Sequence, residues 1–202
     1  MRLIRTSEYR HMPWKNGGGE TTEILVSPAG ASLDQFDWRV SMAKVASAGP
    51  FSLFPGVDRT LTVLEGKGLD LALKGRGNVR LDSGSMPLAF PADLPVEADL
   101  VEGPIEDLNV MTRRGRFTHR VARLQADKPV TLPRDGDVTL ILVRGAGAAA
   151  RTADTNVHAG DGDTLLLTRT GPASVDIRPD APLTLYVVDL WGSEQTRRVE
   201  GE

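Results

Sequence analysis

The sequence predicts an all-β fold, either a sandwich or a barrel assembled from many short strands. Glycine and proline account for 21 and 13 of the 202 residues, and they interrupt the chain too often for long helices. Between these interruptions lie short runs with strand character, and no segment keeps a helical period for more than a turn or two. Many short strands separated by turn residues are typical of β-sandwiches and β-barrels.

The predicted strands extend over most of the chain. Nine runs carry the pattern: Thr21–Ser27, Phe36–Val45, Arg59–Gly66, Leu69–Gly75, Asp107–Thr112, Asp137–Gly145, Asp163–Thr170, Ala173–Pro179 and Leu183–Trp191. The segment Gly66-Lys67-Gly68, between the third and fourth runs, predicts a hairpin-like turn. The second half of the chain has the same β texture but few motifs that combine aromatic and charged residues.

The composition excludes several classes of function. Hydrophobic residues make up 40% and charged residues 25%, and the net charge is -3, which gives no support to nucleic-acid binding. With no cysteine, the chain has no disulfide framework and no thiolate metal site. The N-terminus lacks the apolar core of a signal peptide, and no apolar run approaches the ~20 residues that span a bilayer. We expect a soluble cytoplasmic protein without nucleic-acid or membrane partners.

The segment His11–Leu25, HMPWKNGGGETTEIL, places a lysine and three glycines directly before a predicted strand. A phosphate-binding loop is disfavoured, because it needs a lysine followed by serine or threonine after the glycines, at the start of a helix. A turn is the ordinary interpretation, since glycine relieves crowding and allows positive φ. Three glycines exceed what a turn requires. We therefore predict a turn whose bare backbone also approaches a ligand or a neighbouring strand.

Residues for metal binding or nucleophilic catalysis do not stand out. The three histidines, His11, His119 and His158, are far apart and lack the short spacings of metal sites. No G-x-S-x-G motif marks a nucleophilic serine. We expect neither a metal nor any other cofactor.

Cations near aromatic residues point instead to an anionic ligand. Four of them lie in strand or turn contexts: Lys15, Arg39, Arg59 and Arg113. Strand alternation places Asn109, Met111 and Arg113 on one face. Arginine offers a planar set of donors and asparagine fixes orientation, so this combination suits a carboxylate. For each cation alone, a solvated surface position is the ordinary alternative, and the sequence leaves open which strand face is buried.

Three segments carry a resemblance to a known family: MPWKNGGGETTEI, FDWRVSMAKVASAGPFSLFPGVDRTLTVLEGKGLDL and GPIEDLNVMTRRG. In order and spacing they resemble the HutD family, which includes proteins called Ves. The resemblance implies a cupin-type fold, a bicupin with two jelly-roll-like β-barrel lobes in one chain. It implies an N-terminal lobe over residues 1–115 with the ligand pocket, a structural C-terminal lobe over residues 116–192, and a polar tail over residues 193–202. One departure is Ala92, where the family is expected to have glycine, and a different turn is the expected consequence.

The resemblance also implies a function. Cupins bind metal through histidines just upstream of the block that begins at Arg59, but Ser52–Asp58 contains none, which implies a cupin without the usual metal. The family is associated with histidine utilisation as a regulator, and N-formylglutamate or urocanate is the implied ligand. The candidate pocket residues are His11, Trp14, Lys15, Asn16, Gly17, Gly18, Arg39, Asp58, Arg59, Asn109, Met111 and Arg113.

Two alternatives stay open. The same pocket could serve a metal-independent isomerase or hydrolase, with Asp58, His11 or Glu20 as the general base and Arg59 stabilising an anion. A protein-interaction module that recruits a partner through exposed strand edges is the second alternative. We expect a binding protein for a small anionic metabolite with no catalytic residue, and these features also allow a homodimer.

Overall fold

A computed structural model, which describes residues 1–14, 17–194 and 196, confirms the predicted all-β fold. The chain forms two compact units. We call Arg10–Thr118 lobe A, and we call Met1–Tyr9 together with His119–Glu202 lobe B. Over the described residues, we find no helix with the length and apolar character needed to cross a bilayer.

Lobe A contains a six-stranded and a four-stranded antiparallel sheet. Its strands are β2 (Arg10–Pro13), β3 (Gly19–Ser27), β4 (Trp38–Val45), β5 (Gly49–Pro50), β6 (Val57–Glu65), β7 (Leu69–Leu73), β8 (Gly77–Leu81), β9 (Leu88–Pro91), β10 (Val96–Leu100) and β11 (Ile105–Arg113). The sheet orders are β2-β3-β4-β11-β6-β9 and β5-β10-β7-β8. Side chains of the two sheets meet in one core, whose fully buried members include Leu61, Val63, Leu69 and Leu71.

Lobe B contains a five-stranded and a four-stranded sheet. Its strands are β1 (Arg2–Ile4), β12 (Phe117–Ala126, which begins at the end of lobe A), β13 (Val130–Pro133), β14 (Val138–Gly145), β15 (Ala148–Arg151), β16 (Asn156–Ala159), β17 (Thr164–Thr168), β18 (Ser174–Pro179) and β19 (Leu183–Gly192). The sheet orders are β1-β17-β14-β19-β12 and β13-β18-β15-β16. A 3-10 helix, Thr6–Glu8, follows β1.

The two lobes repeat one topology. The order β4-β11-β6-β9 in lobe A corresponds to β12-β19-β14-β17 in lobe B, and β5-β10-β7-β8 corresponds to β13-β18-β15-β16. This is the double-lobed arrangement that the resemblance to the HutD family implied. Equivalent strands differ in sequence, because the topology needs only alternating apolar residues and turns at matching places.

The predicted hairpin at Gly66-Lys67-Gly68 is wrong. Strands β6 and β7, on either side of it, belong to different sheets and do not pair. The segment instead carries the chain from one sheet to the other through Gly66 and Gly68, whose φ values are +97° and +101°. A Cβ atom on Gly68 would lie 2.2 Å from the backbone oxygen of Leu81, so the crossing also requires close backbone approach.

The N-terminal segment is part of lobe B. Strand β1 pairs antiparallel with β17, with Arg2 opposite Leu166 and Ile4 opposite Thr164. The compact unit that we call lobe A begins at Arg10 and ends at Thr118. The assignment of a ligand pocket to one lobe and a structural role to the other stays a prediction.

Candidate functional site

Polar side chains cluster on the face of the six-stranded sheet that points into lobe A. Strands β4, β11 and β6 lie side by side, and their register places Arg39, Met111 and Arg59 in one row. The next row on this face contains Asn109 beside Ser41, and the following row contains Asp107. Together with Glu23 on β3, we call Arg39, Arg59, Asp107 and Asn109 the polar cluster.

Arg59 is the most unusual member of the polar cluster. It is 5% exposed, its Nη2 donates to the backbone oxygen of Ser52 at 3.1 Å, and Nη2 lies 3.8 Å from the sulfur of Met111. Its Nε is buried and has no hydrogen-bond acceptor among the described residues. Burial lowers the pKa of Arg59 to about 10, so the guanidinium keeps its charge at neutral pH.

Three phenylalanine rings surround the Arg59 guanidinium. Its central carbon lies 5.3 Å from the ring centroids of Phe51 and Phe54 and 5.8 Å from that of Phe90. Aromatic faces attract a cation, but they accept no strong hydrogen bond along the guanidinium edge. Within residues 1–14, 17–194 and 196, Arg59 makes no ion pair. The charge is thus held by quadrupoles rather than by a bonded carboxylate.

Asp107 is the second buried charge-bearing group on this face. It is 1% exposed and accepts a short hydrogen bond from Nδ2 of Asn109. Burial raises the pKa of Asp107 to about 7, and the nearby positive charge of Arg59 opposes part of that rise. Near neutral pH the carboxyl group is therefore present in both its charged and its neutral form.

Arg39 and Glu23 form a closed ion pair. Nε of Arg39 donates to Oε2 of Glu23 at 2.6 Å, and both side chains are almost fully buried. Each residue thereby compensates the charge of the other in a place that water does not reach. Arg39 contributes a repulsive charge to Arg59 and also helps to lower its pKa.

The glycine segment combines a turn and a close approach, as predicted. The backbone N–H of Gly17 donates to the Trp14 oxygen at 3.0 Å, and Gly17 has a φ of +70°. A Cβ atom on Gly19 would lie 2.2 Å from the backbone oxygen of Lys44. The glycines lead into strand β3 and not into a helix, which agrees with the prediction that they do not form a phosphate-binding loop. Trp14 donates from Nε1 to the hydroxyl of Thr21 at 2.8 Å.

The other predicted pocket residues have separate surroundings. Lys15 and Asn16 lie outside the described residues. His11 and Asp58 alternate onto the opposite face of the sheet, where His11 contacts Glu20 at 2.8 Å and Asp58 accepts from Arg114 at 2.8 Å. Gly18 is buried beside the turn.

Arg113 lies at the end of β11 and is engaged by backbone oxygens. Its Nε donates to the backbone oxygen of Phe36 at 3.0 Å, and its Nη2 donates to the backbone oxygen of Asp34 at 2.8 Å. The central carbon of its guanidinium lies 5.5 Å from the centroid of the Phe36 ring. These contacts tie β11 to the segment that precedes β4. Of the predicted set, the structure therefore brings Arg39, Arg59, Asn109 and Met111 together.

Sequence reasoning missed Asp107, Glu23 and the three phenylalanines around Arg59. The signal for Asp107 was present, because it shares the alternating face of Asn109 and Met111. The phenylalanines lie on β9 and on the segment between β5 and β6, and no local pattern connects them with Arg59.

The polar cluster does not fit a transition metal of the kind that many cupins hold. Over the residues that the structure describes, no group of three or more histidine, cysteine or carboxylate side chains could ligate an ion. The inward face instead presents two guanidinium groups, which repel a cation and offer it no lone pair. Together, these side chains are not the donor set that a transition metal requires.

Similar sequences are found among bacterial proteins. Protein Ves from Citrobacter koseri is 39% identical over 163 residues, which is 77% of this chain and 82% of that protein. An uncharacterized 21.2 kDa protein in the hutC 3' region of Pseudomonas putida is 38% identical over 124 residues. That match spans 60% of this chain and 63% of the relative, which is less than two thirds of its length. Its location links the family to the histidine-utilisation locus.

Solved structures share the fold. A conserved protein of unknown function from Pseudomonas aeruginosa PAO1 is 30% identical, with a TM-score of 0.83 over 94% of this chain and 97% of that chain. HutD from Pseudomonas fluorescens SBW25 is also 30% identical, with a TM-score of 0.75 over 95% of this chain and 98% of that chain. Oxalate decarboxylase from Bacillus subtilis shows the same cupin fold at 9% identity. The TM-score is 0.69 over 94% of this chain and 77% of that chain.

These similarities agree with the topology and with the segments that first suggested a relationship. The sequence model of the HutD family matches residues 6–185, which is most of the chain and includes both lobes. The Ves relative extends over more than three quarters of both sequences. The chain therefore belongs to the HutD family.

Proposed function

We propose that this chain is a regulator of histidine utilisation that binds a small carboxylate metabolite inside lobe A. N-formylglutamate and urocanate are the candidate ligands. The observation that carries the proposal is the buried Arg59 guanidinium, whose Nε lacks an acceptor among the described residues. The location of a relative in the hutC 3' region supports the pathway.

A carboxylate is the ligand that the surroundings of Arg59 favour. A buried guanidinium Nε without a hydrogen-bond acceptor is costly, and a planar carboxylate can accept from Nε and one Nη at the same time. The rings of Phe51, Phe54 and Phe90 would then pack against the apolar or imidazole part of the metabolite. Lys15, which lies outside the described residues, is proposed to supply a second positive charge.

Ligand-induced thermal stabilisation tests this proposal. The wild type is heated with N-formylglutamate, urocanate, glutamate or acetate, and a ligand at 100 times its Kd should add about 2.7 kcal/mol of stability. Arg59→Met should abolish the stabilisation, because methionine fills similar space but offers no donor. Arg80→Gln is the matched control, since Arg80 is an exposed arginine of the same lobe that pairs with Asp70.

Two results would count against the proposal. Stabilisation of Arg59→Met equal to that of the wild type would show that the ligand binds elsewhere. Absence of stabilisation of the wild type by every carboxylate would remove the proposed ligand class. Circular dichroism of Arg59→Met checks that lost stabilisation does not come from lost folding.

A metal-independent isomerase or hydrolase is the second candidate, and Asp107 favours it. A carboxyl group whose pKa is raised to about 7 beside a buried cation is suited to general acid–base chemistry. Incubation of the metabolites with the protein, followed by proton NMR of the mixture, separates the two candidates. New product that disappears in Asp107→Asn would favour the enzyme, while unchanged metabolite with retained binding would favour the regulator.

A further inference from the structure

A groove of about 500 Å³ lies on the exposed face of the four-stranded sheet of lobe B. Strands β13, β18, β15 and β16 provide its floor and walls. Its lining residues are Pro129, Val130, Thr131, Ala149, Arg151, Asn156, Asp176, Ile177 and Arg178. The groove belongs to the lobe for which the sequence predicted only a structural role.

Two arginines on neighbouring strands face this groove. Arg151 on β15 is opposite Asp176 on β18, and Arg178 on β18 is opposite Ala149. Such diagonal neighbours on one sheet face are ~7–8 Å apart. Both arginines are exposed, and neither makes an ion pair or a side-chain hydrogen bond within the described part of the chain. The small side chain of Ala149 leaves the space between them open.

The corresponding sheet of lobe A, with the order β5-β10-β7-β8, offers a comparison for these arginines. In that sheet the exposed face carries Asp99 beside Asp70, and Glu97 beside Ala72. The same face carries Arg80 opposite Asp70, and the two side chains form an ion pair at 2.6 Å. The exposed arginine of that sheet is therefore neutralised by a carboxylate, whereas Arg151 and Arg178 have no ion-pair partner within the described part of the chain.

Asp176, the acidic residue of the groove, restricts the chemical class of the ligand. Oδ1 of Asp176 accepts a hydrogen bond from the Thr131 hydroxyl at 2.6 Å, which fixes the carboxylate at the groove wall. An anionic group placed against Asp176 is repelled, while an N–H donor there is attracted. Asn156 adds an amide that can donate to or accept from a ligand.

We propose that this groove is a second ligand site that binds an aliphatic dicarboxylate carrying an N–H donor. Arg151 and Arg178 each bind one carboxylate, and Asp176 accepts from the nitrogen between them. The site lies wholly within lobe B and is independent of the function proposed for lobe A, so either proposal can fail without the other.

Amide NMR of the full chain locates binding to this groove. L-glutamate is titrated into ¹⁵N-labelled protein, with glutarate and acetate as probes that lack the N–H donor or the second carboxylate. We expect the amide shifts of Arg151, Ile177 and Arg178 to move with L-glutamate. Glutarate should bind about tenfold more weakly and acetate should not saturate, and added salt should weaken all binding.

Variants at the groove complete the test. Arg151→Gln combined with Arg178→Gln should remove the shifts while leaving the rest of the spectrum unchanged, because both side chains are exposed. Arg169→Gln, at another exposed arginine of lobe B, should bind like the wild type. The proposal is overturned if the shifts are confined to lobe A, if the double variant keeps its affinity, or if glutarate binds as tightly as L-glutamate.

Discussion

Single residues in lobe A hold charge where water does not reach it. Arg59 and Asp107 are both almost fully buried, and each influences the pKa of the other. Buried groups whose pKa values are strongly shifted cluster at functional sites. Asp107 in particular connects the stability of the fold to pH, because its proton is held more tightly in the folded chain than in the unfolded one.

The contribution of Asp107 to the stability of the protein should therefore fall as the pH rises from about 4 to about 7. The pKa of Asp107 is 3.8 when unfolded and about 7 when folded, so the folded state binds more protons in this range. The contribution of Asp107 to the free energy of unfolding then decreases with pH, by at most about 1.4 kcal/mol per pH unit. Above pH 7 the effect of this group is constant.

Asp107→Asn isolates this effect, because asparagine keeps an oxygen that can accept from Asn109 but cannot ionise. Urea unfolding of both proteins at pH 4.5, 6 and 8 should show the variant gaining a few kcal/mol relative to the wild type as the pH increases. Asp99→Asn, at an exposed carboxylate of the same lobe, should follow the wild type. If the free energies of unfolding of Asp107→Asn and the wild type differ by the same amount at all three pH values, the pKa of Asp107 is not raised in the folded state.

At the scale of elements, strand register decides which residues meet. Alternation within β4, β6 and β11 was readable from the sequence, and the predicted runs match these strands to within two residues at each end. Register then places Arg39 and Arg59 on either side of Met111. It also places β3 beside β4, where Glu23 reaches Arg39.

The Glu23–Arg39 pair gives a test of whether Arg39 is structural. Glu23→Ala leaves a buried cation uncompensated and should destabilise the protein by about 3–5 kcal/mol. Replacing both residues, as Glu23→Leu with Arg39→Met, removes the charges together and should cost far less. Urea unfolding measures both variants.

Ligand stabilisation of the double variant adds a functional readout. Retained stabilisation by the carboxylate would assign Arg39 to the fold, while lost stabilisation in a folded protein would assign it to the pocket. If Glu23→Ala lowers the free energy of unfolding no more than the double variant does, Glu23 does not compensate the charge of Arg39.

At the scale of the whole molecule, residues far apart in the sequence complete each lobe. The first nine residues join lobe B, where Ile4 is buried on β1 and the Tyr9 hydroxyl contacts the Gly162 oxygen and the Thr164 hydroxyl at 2.7 Å each. Burial raises the pKa of Tyr9 to about 12, which keeps this hydroxyl neutral. Arg5 adds an ion pair with Asp163 at 2.8 Å.

Ile4→Ala should therefore weaken lobe B although the substitution lies at the start of the chain. Removing buried methyl groups typically costs about 2–5 kcal/mol. Hydrogen exchange should accelerate in β17 and β14, while amides of β6 and β11 in lobe A keep their protection. The exposed Leu53→Ala serves as a control with little expected effect. Faster exchange confined to lobe A would show that the N-terminal segment is misplaced.

Much of the fold could be predicted because strand signals are local. Period-two alternation and frequent turn residues identified nine strands, and each is present. The missed strands are mostly the short β1, β2, β5, β9, β13, β15 and β16, together with β8, β10 and the longer β12. In β12, mixed polar and apolar residues hide the alternation. The prediction of a hairpin at Gly66 was wrong for a related reason. Glycines indicate a sharp change of direction, but they do not indicate which sheet the chain enters next.

The candidate site was only partly predictable. Asn109 and Met111 share a face by alternation alone, and Arg59 stood out by its residue type. By itself, the sequence determined the all-β class, the positions of the main strands, the family and the absence of cysteine chemistry. These properties depend on residue identity and on patterns over a few neighbouring positions.

Only the tertiary structure decided which cations are buried and what each one contacts. Arg39, Arg59 and Arg113 look alike in sequence, yet one is ion-paired, one is surrounded by aromatic rings, and one is bonded to backbone oxygens. The physical reason is that burial and partnership come from the register between strands that are distant in the chain. A local pattern gives the face of a strand, and only the paired sheets give that face its neighbours.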